Sequence, residues 1–295
     1  MFEIDTLSKT PLLQRREIVD QWVSAAFSAV CFLSFFAAAS LLLPVFFLLW
    51  LVSQIFDRSL RLLHGLCSWL AYRFMLLTPL VQCRMDGLDN LRANQPCVMV
   101  ANHQSVMDIV VLCGLPGSFK WVAKDSIFQI PVIGWIMRMN GYICLVSKTL
   151  KGRMQMFRKS QKWLKRGLSI LMFPEGTRSR TGELLAFKNG PFRLAVACGV
   201  PVVPIVVDGT GAMLPKYARK LDFPANIRVS VLPAVYPDQY GNDPAALRNG
   251  VRAAMAQRLK EMRGLPRAPH HLSFREPKLF TDKLKDSKVS LDISE

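Results

Sequence analysis

The sequence has few acidic residues for its length and no paired cysteine motif. It holds 21 Asp and Glu against 38 Lys and Arg in 295 residues, which gives a formal net charge of +17. A basic chain that is also 51% hydrophobic suits an anionic lipid surface at least as well as nucleic acid. The seven cysteines form no CxxC pair and most lie in apolar runs, so we expect a reducing compartment, without a disulfide framework or a zinc site.

Charge is missing altogether from one long segment near the N-terminus. No charged residue occurs from Trp22 to Leu51, and a continuous helix of that length would span about 45 Å at 1.5 Å per residue. Because this exceeds a hydrocarbon core of about 30 Å, we expect either a tilted span or a helix broken near Pro44 that re-enters the membrane. A cleaved signal peptide is the weaker alternative, since a signal sequence needs a much shorter apolar run.

The pattern of the chain divides it into four segments. Residues 1–20 are polar, and residues 21–82 form a membrane-associated helical module in which 60–81 is an interfacial helix. Residues 83–264 alternate short apolar runs with helical patterns, as an α/β domain does, and residues 265–295 lack periodicity and are expected to be a flexible tail. Strands are predicted at 96–101, 140–146, 168–173, 202–207 and 226–232. Helices are predicted at 105–113, 126–138, 149–166, 188–198 and 243–262.

The first of two reactive clusters, residues 102–108 (NHQSVMD), follows a predicted strand and opens a predicted helix. Ser105 and Asp108 have the spacing of a capping box, which puts Asp108 in the first helical turn and His103 just ahead of it. A carboxylate there can accept the imidazole N–H and leave the other ring nitrogen free to take a proton from an alcohol. The alternative is that Asp108 only caps the helix, because this His–Asp spacing also arises by chance.

The second cluster, residues 173–179 (FPEGTRS), also ends an apolar strand, where an α/β sheet usually places its ligand site. Pro and Gly favour a tight turn there, and Arg178 offers a planar fork of donors suited to a phosphate. Read alone, the heptapeptide is equally a solvated turn with an ion pair between Glu175 and Arg178.

Together the two clusters resemble the lysophosphatidic acid acyltransferase family (1-acyl-sn-glycerol-3-phosphate acyltransferases) of the glycerolipid acyltransferase superfamily. His103 and Asp108 match its NHxxxxD block, residues 141–148 its second block, residues 173–179 its FPEGTRS block and residues 200–205 its last block. The similarity covers roughly 83–235. The order and spacing of the blocks make the first and third highly specific for this family.

The resemblance implies a glycerolipid-acyltransferase-like α/β sheet flanked by helices and preceded by an N-terminal helical membrane module. The enzyme would transfer a fatty acyl group from acyl-CoA or acyl-carrier protein to the sn-2 hydroxyl of 1-acyl-sn-glycerol 3-phosphate, giving phosphatidic acid for phospholipid biosynthesis. It would need no metal or other cofactor. Its partners would be membrane lipids and the acyl donor, not nucleic acid, with the catalytic domain facing the cytoplasm at an inner or cytoplasmic membrane.

By the same resemblance, His103 is the general base and Asp108 holds its ring. The residues implied to bind substrate are Glu175, Gly176, Thr177 and Arg178, with Pro204 shaping the pocket wall. The second block departs from the family pattern, because Cys144 and Ser147 stand where an aromatic residue and an Arg are frequent. Lys148 then either replaces that Arg as a phosphate contact or simply opens the next helix.

Residues 148–166 contain eight Lys and Arg and no acidic residue. Apolar and neutral residues recur there at helical spacing and predict a stripe that packs on the sheet with the cations outward; they are Leu150, Met154, Phe157, Gln161 and Leu164. The outward face would suit anionic lipid headgroups or the acidic surface of an acyl donor. A merely solvated run of charge is the alternative.

Two other functions stay open. An acyltransferase with the same chemistry could act on another lysolipid, such as a lyso-ornithine lipid. A membrane-anchored basic binding protein, for nucleic acid for example, is a hypothesis of a different class, but the sequence carries no recognised nucleic-acid fold signature.

Overall fold

The structure is a computed structural model that describes residues 11–78, 80–91, 96–218 and 220–264. The helices are α1 (Pro11–Leu41), α2 (Leu43–Phe56), α3 (Arg61–Leu76), α4 (Met107–Leu112), α5 (Asp125–Phe128), α6 (Ile133–Met139), α7 (Leu150–Lys165), α8 (Gly190–Cys198), α9 (Thr210–Met213) and α10 (Pro244–Gly264). The strands are β1 (Val81–Asp86), β2 (Val98–Ala101), β3 (Phe119–Lys124), β4 (Ile143–Leu145), β5 (Ser169–Met172), β6 (Val202–Asp208) and β7 (Ala225–Val231).

The seven strands form one mixed sheet in the order β1-β7-β6-β2-β5-β3-β4. Strands β2 to β6 are parallel to one another, whereas β7 runs antiparallel to β6 and carries β1 beside it. The carboxyl ends of β2 to β6 therefore lie at one edge of the sheet. Ligands of open parallel sheets bind at such an edge.

Helices cover both faces of the sheet, and each face has its own hydrophobic core. One core includes side chains of α3, α4 and α9, and the other includes side chains of α7, α8 and α10. Every residue of β6 is buried, as is typical of a strand inside a sheet covered on both sides. The expectation of an α/β sheet flanked by helices is confirmed.

All five predicted strands are present, but the sheet has two more. The strands β1 and β3 were not predicted, and the single helix predicted at 126–138 is two short helices, α5 and α6. The interruption includes Pro131 and Val132. The φ of Val132 is 64°, which lies outside the range of a right-handed helix.

The N-terminal part of the described chain is helical and strongly apolar. Helix α1 contains the window Ser24–Leu41, with a mean hydropathy of 1.8, which is long and apolar enough to cross a membrane by length and composition. Helix α2 is apolar but shorter, and it has Pro44 in its first turn, next to the interruption at Leu42. Residues 11–20, expected to be a polar segment apart, belong to α1. The predictions for residues 1–10 and for the tail at 265–295 lie outside the described residues.

The α/β domain includes residues on both sides of the boundary expected at residue 82. Val81 already belongs to β1, and Met75 of α3 packs in the core of the domain. Helix α1 also contacts the domain, because the Ser28 hydroxyl oxygen accepts the Leu221 N–H at 2.9 Å. Part of the expected membrane module therefore belongs to the folded domain.

Helix α7 buries only part of the predicted stripe, since Leu164 is buried and Phe157 packs against the core as expected, but the start of the stripe does not. Met156, Ser160 and Leu164 are buried, whereas Leu150 and Met154 are 66% and 47% exposed. Ser160 fits the core because its hydroxyl donates to the Met156 carbonyl oxygen at 2.9 Å. All eight cations of 148–166 are exposed, as predicted.

Candidate active site

The two reactive clusters lie side by side at the carboxyl edge of the sheet. Residues 102–106 follow β2 and residues 173–179 follow β5, and these two strands are paired. The turns are also joined directly, because the Ser179 N–H donates to the His103 carbonyl oxygen at 2.7 Å. The sheet register thus brings together two motifs that are far apart in the chain, since 76 residues separate His103 from Ser179 in number.

His103 and Asp108 form a hydrogen-bonded pair. The distance from His103 Nδ1 to Asp108 Oδ2 is 2.7 Å, and Asp108 is completely buried, whereas 16% of the His103 side chain is exposed. Among the described residues, none is hydrogen-bonded to the other ring nitrogen, Nε2. Nε2 is therefore the ring nitrogen available to a substrate.

Asp108 is held by more than the imidazole. Its Oδ2 atom also accepts the backbone N–H groups of Gln104 at 2.7 Å and Ser105 at 2.9 Å, and its Oδ1 atom accepts the Thr210 hydroxyl. Only half of the predicted capping box forms, since the Ser105 hydroxyl oxygen accepts the Met107 N–H instead of that of Asp108. Asp108 thus organises the whole turn and orients His103, which is more than capping a helix.

The imidazole plane is set by an aromatic neighbour. The Phe173 ring stacks on His103 with centroids 3.9 Å apart and planes 12° apart, and Trp121 lies behind Phe173 at 5.9 Å. Stacking on one side and a hydrogen bond at Nδ1 leave the ring little rotational freedom. Phe173 opens the FPEGTRS block, but its sequence position gave no sign of this contact.

Glu175 is a buried anchor, with 4% of its surface exposed. Its Oε1 atom accepts the His103 N–H at 3.0 Å and its Oε2 atom accepts the Leu185 N–H at 3.2 Å. Burial raises the pKa of this carboxyl to about 7, and the two hydrogen bonds, which lower the pKa, offset only part of that effect. The direct contact with the acceptor that the resemblance implied stays a prediction, and each oxygen already accepts one backbone N–H.

Asn102 joins the catalytic turn to β6. Its side-chain nitrogen donates to the Val207 carbonyl oxygen at 2.8 Å, and its side-chain oxygen accepts the Val207 N–H at 2.7 Å. Gln104 Nε2 donates to the same carbonyl oxygen at 3.1 Å. The Asn102 side chain therefore pairs with β6 in the way that the backbone of a neighbouring strand would. No local sequence pattern indicated this role.

The turn at Gly176 is lined with cations. Gly176 has a φ of 69°, and a Cβ there would lie 2.7 Å from Lys188 Nζ. Lys216 Nζ donates to the Thr177 hydroxyl oxygen at 3.0 Å and to the Arg178 carbonyl oxygen at 2.9 Å. Thr177 is exposed and Arg178 half-buried. Lys188 and Lys216 were not predicted, and no local pattern distinguishes them from other surface lysines.

Two residues expected at the site lie away from it. Lys148 follows β4, three strands from β2, which corresponds to about 14 Å at the usual strand spacing. Pro204 is inside β6, paired with Val100 below the end of the sheet. Lys124, by contrast, ends β3 next to β5 and is exposed at the active edge. It was missed because β3 was missed.

The arrangement has the parts of a general base catalyst. An oriented imidazole with one free nitrogen can take a proton from a hydroxyl, and a buried carboxylate stabilises the imidazolium that forms. The cations around Gly176 can bind an anionic group of the same substrate. Among the described residues, no three His, Cys, Asp or Glu side chains converge as metal ligands.

Comparison with known proteins gives a consistent result. Residues 82–208 match the family model described as Acyltransferase. The chain is 38% identical over 183 residues to a chloroplast 1-acyl-sn-glycerol-3-phosphate acyltransferase of Brassica napus, covering 62% of this chain and 53% of the relative. It is 33% identical over 230 residues to a 1-acyl-sn-glycerol-3-phosphate acyltransferase of Chlamydomonas reinhardtii, covering 76% of this chain and 68% of the relative.

A solved structure has the same fold. The 1-acyl-sn-glycerophosphate acyltransferase PlsC of Thermotoga maritima superimposes with a TM-score of 0.58 at 24% identity, covering 79% of this chain and 99% of that one. The chain spans about half the length of the Brassica napus relative.

Proposed function

The chain belongs to the 1-acyl-sn-glycerol-3-phosphate acyltransferase family, and we propose that it transfers a fatty acyl group from a thioester to the sn-2 hydroxyl of 1-acyl-sn-glycerol 3-phosphate, giving phosphatidic acid. One observation carries this proposal. The oriented pair of His103 and Asp108 lies beside a turn lined with cations, at the edge of the sheet where ligands bind.

In the proposed reaction, Nε2 of His103 takes the proton of the acceptor hydroxyl as the oxygen attacks the thioester carbonyl carbon. Asp108 stabilises the imidazolium through Nδ1. The tetrahedral intermediate then collapses with cleavage of the C–S bond, and the imidazolium returns the proton to the thiolate that leaves. The acyl group passes directly from sulfur to oxygen, so no acyl-enzyme is formed.

Glu175 and Thr210 act as positioning residues in this scheme. Glu175 holds the backbone of His103, and Thr210 holds the second oxygen of Asp108. The contacts described for both side chains are made within the protein. Gly176 contributes through its backbone, because residues with a side chain rarely adopt its φ of 69°.

The acceptor's phosphate would bind at the turn. Arg178 supplies a planar fork for two phosphate oxygens, and Thr177, Lys188 and Lys216 lie within the same turn or against it. Lys124 is a further candidate from the neighbouring strand. The phosphate contact of Lys148 remains a prediction, and it requires the substrate to reach across the edge of the sheet. The role of Pro204 in the pocket wall also remains a prediction.

Helices α1 and α2 would hold the enzyme on the membrane, where both its lipid substrate and its lipid product reside. We place the catalytic domain on the cytoplasmic side of an inner or cytoplasmic membrane, where an acyl-CoA or acyl-carrier protein can supply the thioester. No metal or other cofactor takes part in this scheme.

An acceptor screen with one labelled acyl-CoA tests the proposal. The purified chain should acylate 1-acyl-sn-glycerol 3-phosphate faster than the matched lysophosphatidylcholine or a lyso-ornithine lipid, since only the first presents a phosphomonoester to the cations. A preference for the lyso-ornithine lipid would keep the acyltransferase chemistry and exclude the substrate. A protein that consumes no thioester with any acceptor would favour the basic binding protein.

A further inference from the structure

Some large hydrophobic side chains of the α/β sheet domain are exposed. Within the described part of 81–264 they are Val106, Ile130, Trp135, Leu150, Met154 and Tyr217. Leu150 begins α7, which follows the carboxyl end of β4, and Met154 lies one turn further along the same helix. Scattered exposed apolar residues need no explanation, but two of them on one side of a helix that begins near the active edge indicate a surface with a partner.

The start of α7 combines this apolar character with charge. Leu150 and Met154 are four residues apart and therefore neighbours on one side of the helix. Lys151 and Arg153 are exposed beside them. We call these four residues the α7 patch. No Asp or Glu occurs in the sequence from residue 126 to residue 174, so no acidic residue of that stretch can neutralise it.

The chain segment that leads to the α7 patch contacts the apolar N-terminal part. Helix α2 contacts α6, and α6 carries Trp135, which is 51% exposed. Strand β4 follows α6 and leads to the loop that begins α7. Tryptophan is enriched at the boundary between lipid and water. The element that precedes β4 and α7 therefore combines a contact to an apolar helix with a side chain suited to the lipid interface.

We propose that the α7 patch is an interfacial membrane-binding site for an anionic leaflet. Leu150 and Met154 enter the boundary between headgroups and acyl chains, while Lys151 and Arg153 lie against lipid phosphates. Exposed apolar residues with flanking cations are typical of helices that lie in this interface. The contact would set the active edge, with His103, on the membrane surface. The membrane contact itself does not depend on the proposed function, and only the catalytic advantage of that orientation rests on it.

A protein partner such as an acidic acyl carrier fits the α7 patch less well. A carrier could use the charge alone, and the second half of α7 offers that equally. Arg158 and Lys162 are exposed there, but among the described residues no exposed large hydrophobic side chain accompanies them on that half. The coincidence of cations with aliphatic side chains is limited to the end of the helix nearest the active edge.

Photo-crosslinking of the full chain in vesicles tests the contact without reference to activity. Benzoylphenylalanine is introduced in place of Leu150 or, as the matched control, in place of Lys162. The vesicles are phosphatidylcholine with about a third phosphatidylglycerol. We expect lipid adducts from position 150 at least about five times as abundant as from position 162. Equal labelling at the two positions, or none at 150, would overturn the proposal.

Kinetics of double variants then separate the membrane from the acyl donor. Two double variants should each lower kcat/KM on anionic vesicles by about five- to thirtyfold: Lys151→Gln with Arg153→Gln, and Leu150→Ser with Met154→Ser. For the first variant the range follows because each basic residue near the surface contributes about fivefold. Both should retain full activity in uncharged detergent micelles. Arg158→Gln with Lys162→Gln is the control and should change neither by more than about twofold. An equal loss in micelles with a raised KM for the donor would mean donor docking, and no loss anywhere would mean a solvated surface; either contradicts the proposal.

Discussion

Replacing Thr210 by valine keeps the shape of the side chain but removes the hydroxyl that donates to Oδ1 of Asp108. Both residues are completely buried, so water cannot readily take its place. A hydrogen bond to a charged group contributes about 1.5–3 kcal/mol. We therefore expect the free energy of unfolding to fall by about that amount, and the thermal midpoint to fall by about 3–12 °C for a chain of this size.

The same substitution should slow the reaction without weakening acceptor binding. The remaining contacts of Asp108 all go to Oδ2, so the carboxylate gains freedom to turn and holds the His103 ring less firmly. We expect kcat to fall by about tenfold, and by no more than about a hundredfold, with the KM for the lysolipid unchanged.

Thr210→Ser is the matched control, because it keeps the hydroxyl and should retain most of kcat. The assay is initial-rate kinetics at saturating donor, with thermal unfolding measured on the same preparations. A Thr210→Val enzyme that is destabilised but turns over at the parental rate would refute the positioning role. A raised acceptor KM with unchanged kcat would refute it equally.

Three further outcomes are expected. Burial raises the pKa of Glu175 from 4.5 to about 7, so its contribution to the free energy of unfolding is full below pH 4.5 and is lost as the pH rises through about 7. Denaturant titrations across this range should show the free energy of unfolding falling with pH, and Glu175→Gln should lack this fall. Arg178→Ala should raise the KM for 1-acyl-sn-glycerol 3-phosphate strongly while leaving the donor KM unchanged, and Arg178→Lys should recover only part, because lysine cannot bind two phosphate oxygens in a fork. Deleting residues 1–59 should weaken membrane association, measured by flotation with vesicles. Deleting residues 1–82 should prevent folding, measured by circular dichroism, because this deletion also removes α3 and the first residues of β1.

The sequence predicted the strands that have an apolar run or a clear apolar alternation and missed β1 and β3. Strand β3 contains Lys120, a completely enclosed cation whose Nζ donates to the Asn140 carbonyl oxygen at 2.8 Å and lies 4.7 Å from the Trp163 ring centroid. Its partners come from α6 and α7, so nothing near Lys120 in the chain marks it as a core residue. Strand β1 lies at the edge of the sheet with charged residues exposed, so it lacks the apolar run as well.

The candidate site was predictable where its geometry is local. His103 and Asp108 are five residues apart, within one turn and the start of one helix, so the pair could be predicted once the second motif supported the spacing. Thr210 completes the same cluster from beyond β6, 102 residues after Asp108, and only the pairing of strands brings it there. The substrate contact of Glu175 came from the family resemblance and stays a prediction, whereas its two hydrogen bonds to the backbone of other turns were not predictable from the sequence.

The most direct test of the account is the rate of phosphatidic acid formation by the parent chain and by His103→Ala. Purified protein is supplied with labelled acyl-CoA and 1-acyl-sn-glycerol 3-phosphate in micelles, and the product is quantified by mass spectrometry. We predict that the parent forms phosphatidic acid and that His103→Ala, shown to be folded by circular dichroism, is slower by at least about a hundredfold. A variant that stays within about threefold of the parent would show that His103 is not the general base.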